Sequence, residues 1–412
     1  MAITRRGLWR VPWPATVLPS PTGVWWPGLL PRGFMSTTVG SSQNIRSSLY
    51  RYVSGMGAPP LCPPWRVLFF GTDLFAMEIL RSLHETREEN KDPLIEKLEV
   101  ITLPPLLPKG LPVKNYAVKH CLPNYEWPNV GSCEQFDVGV VTSFGRLLPE
   151  DLILKFPYGI LNVHPSLLPR WRGSAPIYHT ILNGDTVTGV TIMQIRPKRF
   201  DVGPILMQEK IAVPSQSTAK ELERLLSKLG SAMLISVLQS LPQTLENKQE
   251  QPKEGATIAP KLTVPMGYLQ WEEQTPAQIL RMERALRPVI PLQTLWMGRI
   301  VKLLDFVEAP ADPGFQEHGV IPGAVRYHKK SQTLLIRCKD GWVGVRTIKL
   351  KKRLSATDFY NGYLYPWFKQ GQLSKEEECL FHTLQLPAKR SVRTETSGAA
   401  AGPAAVSPPC SV

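Results

Sequence analysis

Residues 67–70 are an unbroken apolar run, Val-Leu-Phe-Phe, as expected of a strand covered on both faces. Gly71 ends the run, and Phe75, Ile79, Leu80 and Leu83 then recur at helical spacing. Residues 65–85 therefore predict strand, turn and helix. The stretches "LEVITLP" (98–104), "FDVGVVTSFG" (136–145), "GILNVHPS" (159–166) and "GVTIMQI" (189–195) read as further strands. This alternation predicts an α/β fold, a Rossmann-like open sheet that is parallel in its first part. The clearest helix spans 218–241. Thr218 and Glu221 make a capping box. Leu222, Leu225, Leu226, Leu229, Met233 and Val237 make one apolar stripe, and Pro242 stops it.

The pattern changes after residue 242. Residues 243–265 are polar and contain Pro and Gly, a linker composition. A short helix follows, with Thr275 at its N-cap and Pro276 at its first turn. Four strand-like stretches come next, at 299–307, 323–329, 333–338 and 341–352, with a Lys339-Asp340-Gly341 hairpin turn. The expected organisation is a catalytic α/β domain at 65–242, a linker at 243–265 and a smaller, mainly β domain at 266–365. The tail 366–412 ends in low-complexity sequence and is expected to be largely disordered.

Charge sharpens this division. The net charge of the 412 residues is +14. Residues 1–66 carry seven Arg and no Lys, Asp or Glu, 67–265 balance at zero, and 266–365 carry +6. An acid-free, Arg-bearing start containing Ser and Thr reads as a mitochondrial transit peptide, so residues 1–60 are set aside from the fold and the expected location is the mitochondrial matrix. A leader with no targeting role is the bland alternative. No membrane span is expected. The six cysteines form no CxxC and no zinc-like spacing with the histidines, and read as reduced thiols.

The candidate chemistry lies where the strand at 159–164 ends. Ligands of open α/β sheets sit at the carboxyl ends of strands. Asn162 and His164 are two apart and share one face of an extended segment. An amide can hold a developing oxyanion, and an imidazole can hold or move a proton near neutral pH. Asp201, in a Gly-containing turn between two strands, could orient that imidazole or take a proton from an attacking amine. By residue type alone the alternative stands beside this: a turn asparagine, a satisfied core histidine and a turn aspartate. Ser166 forms no serine-nucleophile set, since it lies past a Pro turn and no G-x-S-x-G elbow is present.

The stretch "LNVHPSLLPRWRGSAPI" (161–177), with "FDVG" (200–203), resembles the 10-formyltetrahydrofolate-dependent formyltransferases. The segments "NGDTVTGVTIMQ", "IAPKL" and "LSATDFYNG" extend the likeness over roughly 66–365, in the branch acting on aminoacylated tRNA. The resemblance implies a catalytic set of Asn162, His164 and Asp201 and no metal. It implies 10-formyltetrahydrofolate as formyl donor, initiator methionyl-tRNA as partner, and a monomer that starts mitochondrial translation. It implies folate contacts at Ser143, Phe144, Gly145, Ser166, Leu167, Leu168 and Pro169, and an OB-like carboxyl-terminal domain. Candidate tRNA contacts are Arg170, Trp171 and Arg172, then Lys349, Lys351, Lys352 and Arg353 at a strand end beside the Trp342 hairpin. Lys109 and Lys114 are added from the short, Pro-rich stretch 103–120, which stands where such enzymes carry a long basic loop. The competing readings are a formyltransferase for a small amine, a formyltetrahydrofolate hydrolase, and a non-catalytic RNA-binding protein.

Overall fold

In the computed structural model the described residues are 60–88, 93–105, 108–311, 319–366 and 380–384. The chain divides into two units, Met1–Met56 and Gly57–Val412. The first lies wholly outside the described residues, and so does the 1–60 leader apart from Pro60.

The first layer is a seven-stranded sheet. Its strands are β1 (Trp65–Phe70), β2 (Ile95–Thr102), β3 (Asn124–Glu126), β4 (Val138–Val141), β5 (Ile160–His164), β6 (Val187–Gln194) and β7 (Ile205–Ala212). Their order is β3-β2-β1-β4-β5-β6-β7. The pairs from β3 through β5 are parallel, whereas β6 and β7 run antiparallel, which agrees with a sheet parallel in its first part. The all-buried β4, Val-Gly-Val-Val, shows why these strands read as continuous apolar runs: both faces are covered.

Helices α1 (Leu74–Glu88), α2 (Pro112–Lys119), α3 (Pro176–Asn183) and α4 (Ala219–Gln239) flank the sheet. The expected capping box of α4 is present, Thr218 accepting from the Glu221 amide. Gly230 lets α4 approach closely, since a Cβ there would lie 2.9 Å from Val163 on β5. The stretch 103–120 is not the loop expected of it, because 112–119 form α2. Pro112 opens that helix, and Val113 and Ala117, four apart, are buried.

The second layer is antiparallel. It contains β8 (Leu292–Trp296), β9 (Arg299–Glu308), β10 (Val325–His328), β11 (Thr333–Arg337), β12 (Trp342–Lys349), β13 (Arg353–Ser355) and β14 (Phe381–His382). The order is β10-β11-β12-β9-β8-β14, with β13 beside β12. Gly323, just before β10, donates its N–H to the Arg337 carbonyl and accepts from the Phe381 N–H, so backbone links the two ends of the sheet. Helix α5 (Pro276–Leu286) packs on β9 and on α3 of the first layer, starting from its capping box at Thr275 and Gln278.

Three further expectations need correction. The boundary at 365 leaves out β14, whose Phe381 is buried, so 380–384 are folded within the stretch expected to be largely disordered. The basic cluster does not lie beside the Trp342 hairpin: Trp342 starts β12 and Lys349 ends it, seven residues of extended chain later. Stretch 243–265 is no free tether either. Gln249 exchanges two backbone hydrogen bonds with Ile205, and Ile258 bridges Arg172.

Candidate active site

Strand β5 ends at the carboxyl edge of the first sheet, between β4 and β6. Its two-residue period sets Asn162 and His164 on one face, Asn162 half-buried and His164 buried. Asp201 reaches them from the β6–β7 loop with φ at +53°, a left-handed conformation that Asp tolerates better than most residues. The loop can turn this sharply because Gly203 passes where a Cβ would lie 1.7 Å from the Gln194 carbonyl oxygen. Residues 39 apart in sequence thus meet: Asn162 Nδ2 donates to Asp201 Oδ1 at 3.2 Å. His164 Nδ1 lies 3.8 Å from the same oxygen.

The rest of the hydrogen bonding fixes the roles of these atoms. His164 Nε2 is 3.0 Å from the Trp171 carbonyl oxygen, a group that only accepts, so Nε2 carries the proton there. Nδ1 is therefore the nitrogen presented to Asp201. The Gly173 N–H donates to Asp201 Oδ2 at 2.8 Å. The loop 170–173 consequently holds both the imidazole and the carboxylate. That loop is held in turn by residues 257–259: the Arg172 N–H bonds the Thr257 carbonyl, the Ala259 N–H bonds the Arg172 carbonyl, and the Trp171 N–H bonds Thr257 Oγ1.

Asn162, His164 and Asp201 line a cavity of about 580 Å³. Of the residues expected to hold folate, Ser143, Phe144 and Gly145 line it as well. Phe144 is buried with its ring edge-on to Phe70 and Trp127, so that ring packs within the core. Ser166, Leu167, Leu168 and Pro169 do not line it. Ser166 is buried and donates to the Arg170 carbonyl, and the Leu168 N–H donates to Thr191, so this segment forms the turn beneath the loop 170–173.

Three of the residues expected to face RNA, Arg170, Trp171 and Arg172, have partners within the chain. Arg170 makes a two-pronged pair with Asp185 at 2.6 and 2.8 Å and stacks over Trp171, whose Nε1–H reaches the same carboxylate. Burial works against ionised Asp185, but the hydrogen bonds from Arg170, Asn183 and Trp171 hold its carboxyl below the usual range. Arg172 donates from Nε and Nη2 to Gln251. Lys114, on α2, pairs with Glu126 of β3. The carbonyl of Lys109 accepts from Asn115.

Sequence reasoning missed several wall residues. Asp73, at the N-terminus of α1, and Glu223, on α4, both face the cavity. Burial first, and for Glu223 then the charge of Asp73, pushes both carboxyls up. Arg146, Arg196, Arg199 and the exposed Phe200 line the cavity too. The first acidic residue after a buried strand was the available signal for Asp73. No spacing ties the others to β5.

Comparison with known proteins agrees with this architecture. Residues 117–238 match the formyl transferase family, and 261–364 match the formyl transferase C-terminal domain. The chain is 64% identical to the mitochondrial methionyl-tRNA formyltransferase of Homo sapiens over 332 residues, covering 80% of this chain and 85% of that one. It is 58% identical to the Rattus norvegicus mitochondrial methionyl-tRNA formyltransferase over 90% of this chain and 96% of that one. The methionyl-tRNA formyltransferase of Caldicellulosiruptor saccharolyticus is 30% identical over 72% of this chain and 96% of that one. Among solved structures, the N-formyltransferase of Helicobacter canadensis, in complex with folinic acid and dTDP-3-aminofucose, shares the fold. Its TM-score is 0.51 at 16% identity, covering 68% of this chain and 98% of that one. By its identity to these relatives over most of both chains, the chain belongs to the methionyl-tRNA formyltransferase family.

Proposed function

We propose that the chain transfers the formyl group of 10-formyltetrahydrofolate to the α-amine of methionyl-tRNA, for initiation of translation in the mitochondrion, and that Asn162, His164 and Asp201 carry the chemistry. The observation behind this assignment is Asp201 Oδ1, which faces Asn162 Nδ2 and His164 Nδ1 together. The neutral amine attacks the formyl carbon, a C–N bond forms, and the carbonyl oxygen becomes an oxyanion. Asn162 Nδ2 has two hydrogens; Asp201 orients one and the other serves the oxyanion. The proton lost by the attacking nitrogen passes to the His164–Asp201 pair. The same pair returns a proton to N10 of the folate as the C–N10 bond breaks, releasing tetrahydrofolate. The 3.8 Å between Nδ1 and Oδ1 exceeds hydrogen-bond length, as catalytic contacts often do before substrates close the site.

Acceptor specificity rests on the second layer. Lys349 stands directly across from Lys302 on β9 and from Arg353 on β13. Like charges in one cross-strand row repel, so a row of three cations is stabilised by a polyanion. With Lys351 and Lys352 beside it, this edge supports the reading of a tRNA-backbone contact. Arg170 and Trp171, engaged with Asp185, support RNA contact less than they support the shape of the loop.

The test is formyl transfer by the 61–412 chain from 10-formyltetrahydrofolate, with methionyl-tRNA, free methionine and an amino-sugar nucleotide as rival acceptors. Formylmethionine released after deacylation from the tRNA arm, with no product in the other arms, is the expected result. Formylation of a small amine would overturn the acceptor. Folate breakdown without any acceptor would make the chain a hydrolase.

A further inference from the structure

We infer that Gln251, in the stretch between the two layers, is a positioning residue for formyl transfer: it locks the loop of Asp201 to the loop that holds His164. This rests on the reading of Asp201 as catalytic. Gln251 Nε2 donates to the Asp201 carbonyl at 3.0 Å and to the Gly203 carbonyl at 2.8 Å. Its Oε1 accepts from Arg172 Nε at 3.1 Å and Nη2 at 2.6 Å. The amide has one workable orientation. A guanidinium only donates and carbonyls only accept, so a flipped amide would leave all four contacts mismatched. One side chain therefore ties residues 201 and 203 to residue 172.

The neighbours of Arg172 give this tie its consequence. Trp171 supplies the carbonyl on His164 Nε2, and Gly173 supplies the N–H on Asp201 Oδ2. Gln251 thus closes a ring through Arg172, Gly173 and Asp201, with the imidazole attached at Trp171. Asp201 sits in a left-handed conformation, which costs energy for a residue with a side chain and persists where surroundings impose it. Gly203 is pressed against the Gln194 carbonyl, and the Gln251 Nε2 hydrogens hold the Asp201 and Gly203 carbonyls of the same loop. Removing that amide frees the loop to relax and moves the carboxylate with respect to Asn162 and His164. A displacement of about 1 Å at such a group can cost about 10²-fold in rate.

The experiment measures kcat and KM for both substrates on the full chain. Gln251→Ala and Gln251→Glu are each expected to lower kcat by about 10²-fold, with both KM values nearly unchanged. Glu keeps the size of the side chain but supplies no N–H. Arg172→Ala should give the same loss, and the double variant Arg172→Ala/Gln251→Ala no more, because the two act as one unit. Parental kcat in Gln251→Glu, additive losses, or a raised KM for tRNA with kcat intact would each overturn the role. Asp201→Asn is run alongside. If it turns over normally, the catalytic reading fails; if it is inactive while Gln251→Glu works, the positioning role alone fails. The Glu variant is read should the Ala variant not fold, and loss of far-ultraviolet dichroism in both would make Gln251 a folding residue and overturn the proposal.

Discussion

Asn162 contributes a donor that cannot be titrated, so its effect on rate should be steady across pH. Asn162→Ala is expected to lower kcat by about 10²–10³-fold with little change in tRNA affinity, checked by single-turnover rates and filter binding. Equal losses in rate and affinity would mark it as structural. Asn162 and His164 were legible in the sequence because a period of two puts both on one strand face, and a strand end is where ligands bind. Asp201 was legible only through resemblance, since no local rule reaches across 39 residues. Arg170 and Trp171 show the converse, a partner within the chain that the sequence did not announce. A cation and an indole in a loop look ready for RNA, but Asp185, 15 residues beyond Arg170, takes both. Nothing in the spacing announces that pair.

Helix α5 contains an acid that its own surroundings disfavour. Glu283 is buried, and Arg287 Nε lies 3.3 Å from its Oε1, yet that oxygen accepts no well-aligned hydrogen bond. Burial, outweighing Arg287 and assisted by Asp305, pushes the carboxyl up to about 7 from the usual 4.5. The folded chain therefore binds more protons than the unfolded chain between those values. Stability is fully present below about 4.5, falls as pH rises towards 7, and levels off above it, by at most about 3 kcal/mol. Glu283→Gln is expected to raise the urea midpoint more at pH 8 than at pH 5. A difference independent of pH would show that titration of Glu283 does not matter. The amphipathic and capped helices were readable from sequence, α4 and α5 above all. Among the misses were α2, concealed by its flanking prolines, and β14, two residues long and held by pairing with β8. An element that short has no period to read, so tertiary contact alone defines it.

On the scale of the whole molecule, the neutral first layer and the +6 of residues 266–365 divide chemistry from polyanion attraction. Removing Lys349, Lys351, Lys352 and Arg353 together should leave kcat near the parental value. The slope of log KM for tRNA against log salt should flatten by about 0.7–0.9 for each phosphate that is no longer neutralised. An unchanged slope would move the RNA-binding face elsewhere. Helix α5 packs on α3, with Arg281 Nε reaching the Leu182 carbonyl at 3.4 Å. The stretch at 249–259 binds the first layer more intimately still: it is hydrogen-bonded to Ile205, Arg172 and Ala175 although it follows Pro242, where composition would draw a boundary. A recombination junction at residue 242 would therefore pass on Asn162, His164 and Asp201 without the backbone that braces them. Exchange of the carboxyl-terminal domain should keep activity only when the crossover lies beyond Pro260, since this segment belongs structurally with the first layer even though it reads as a spacer.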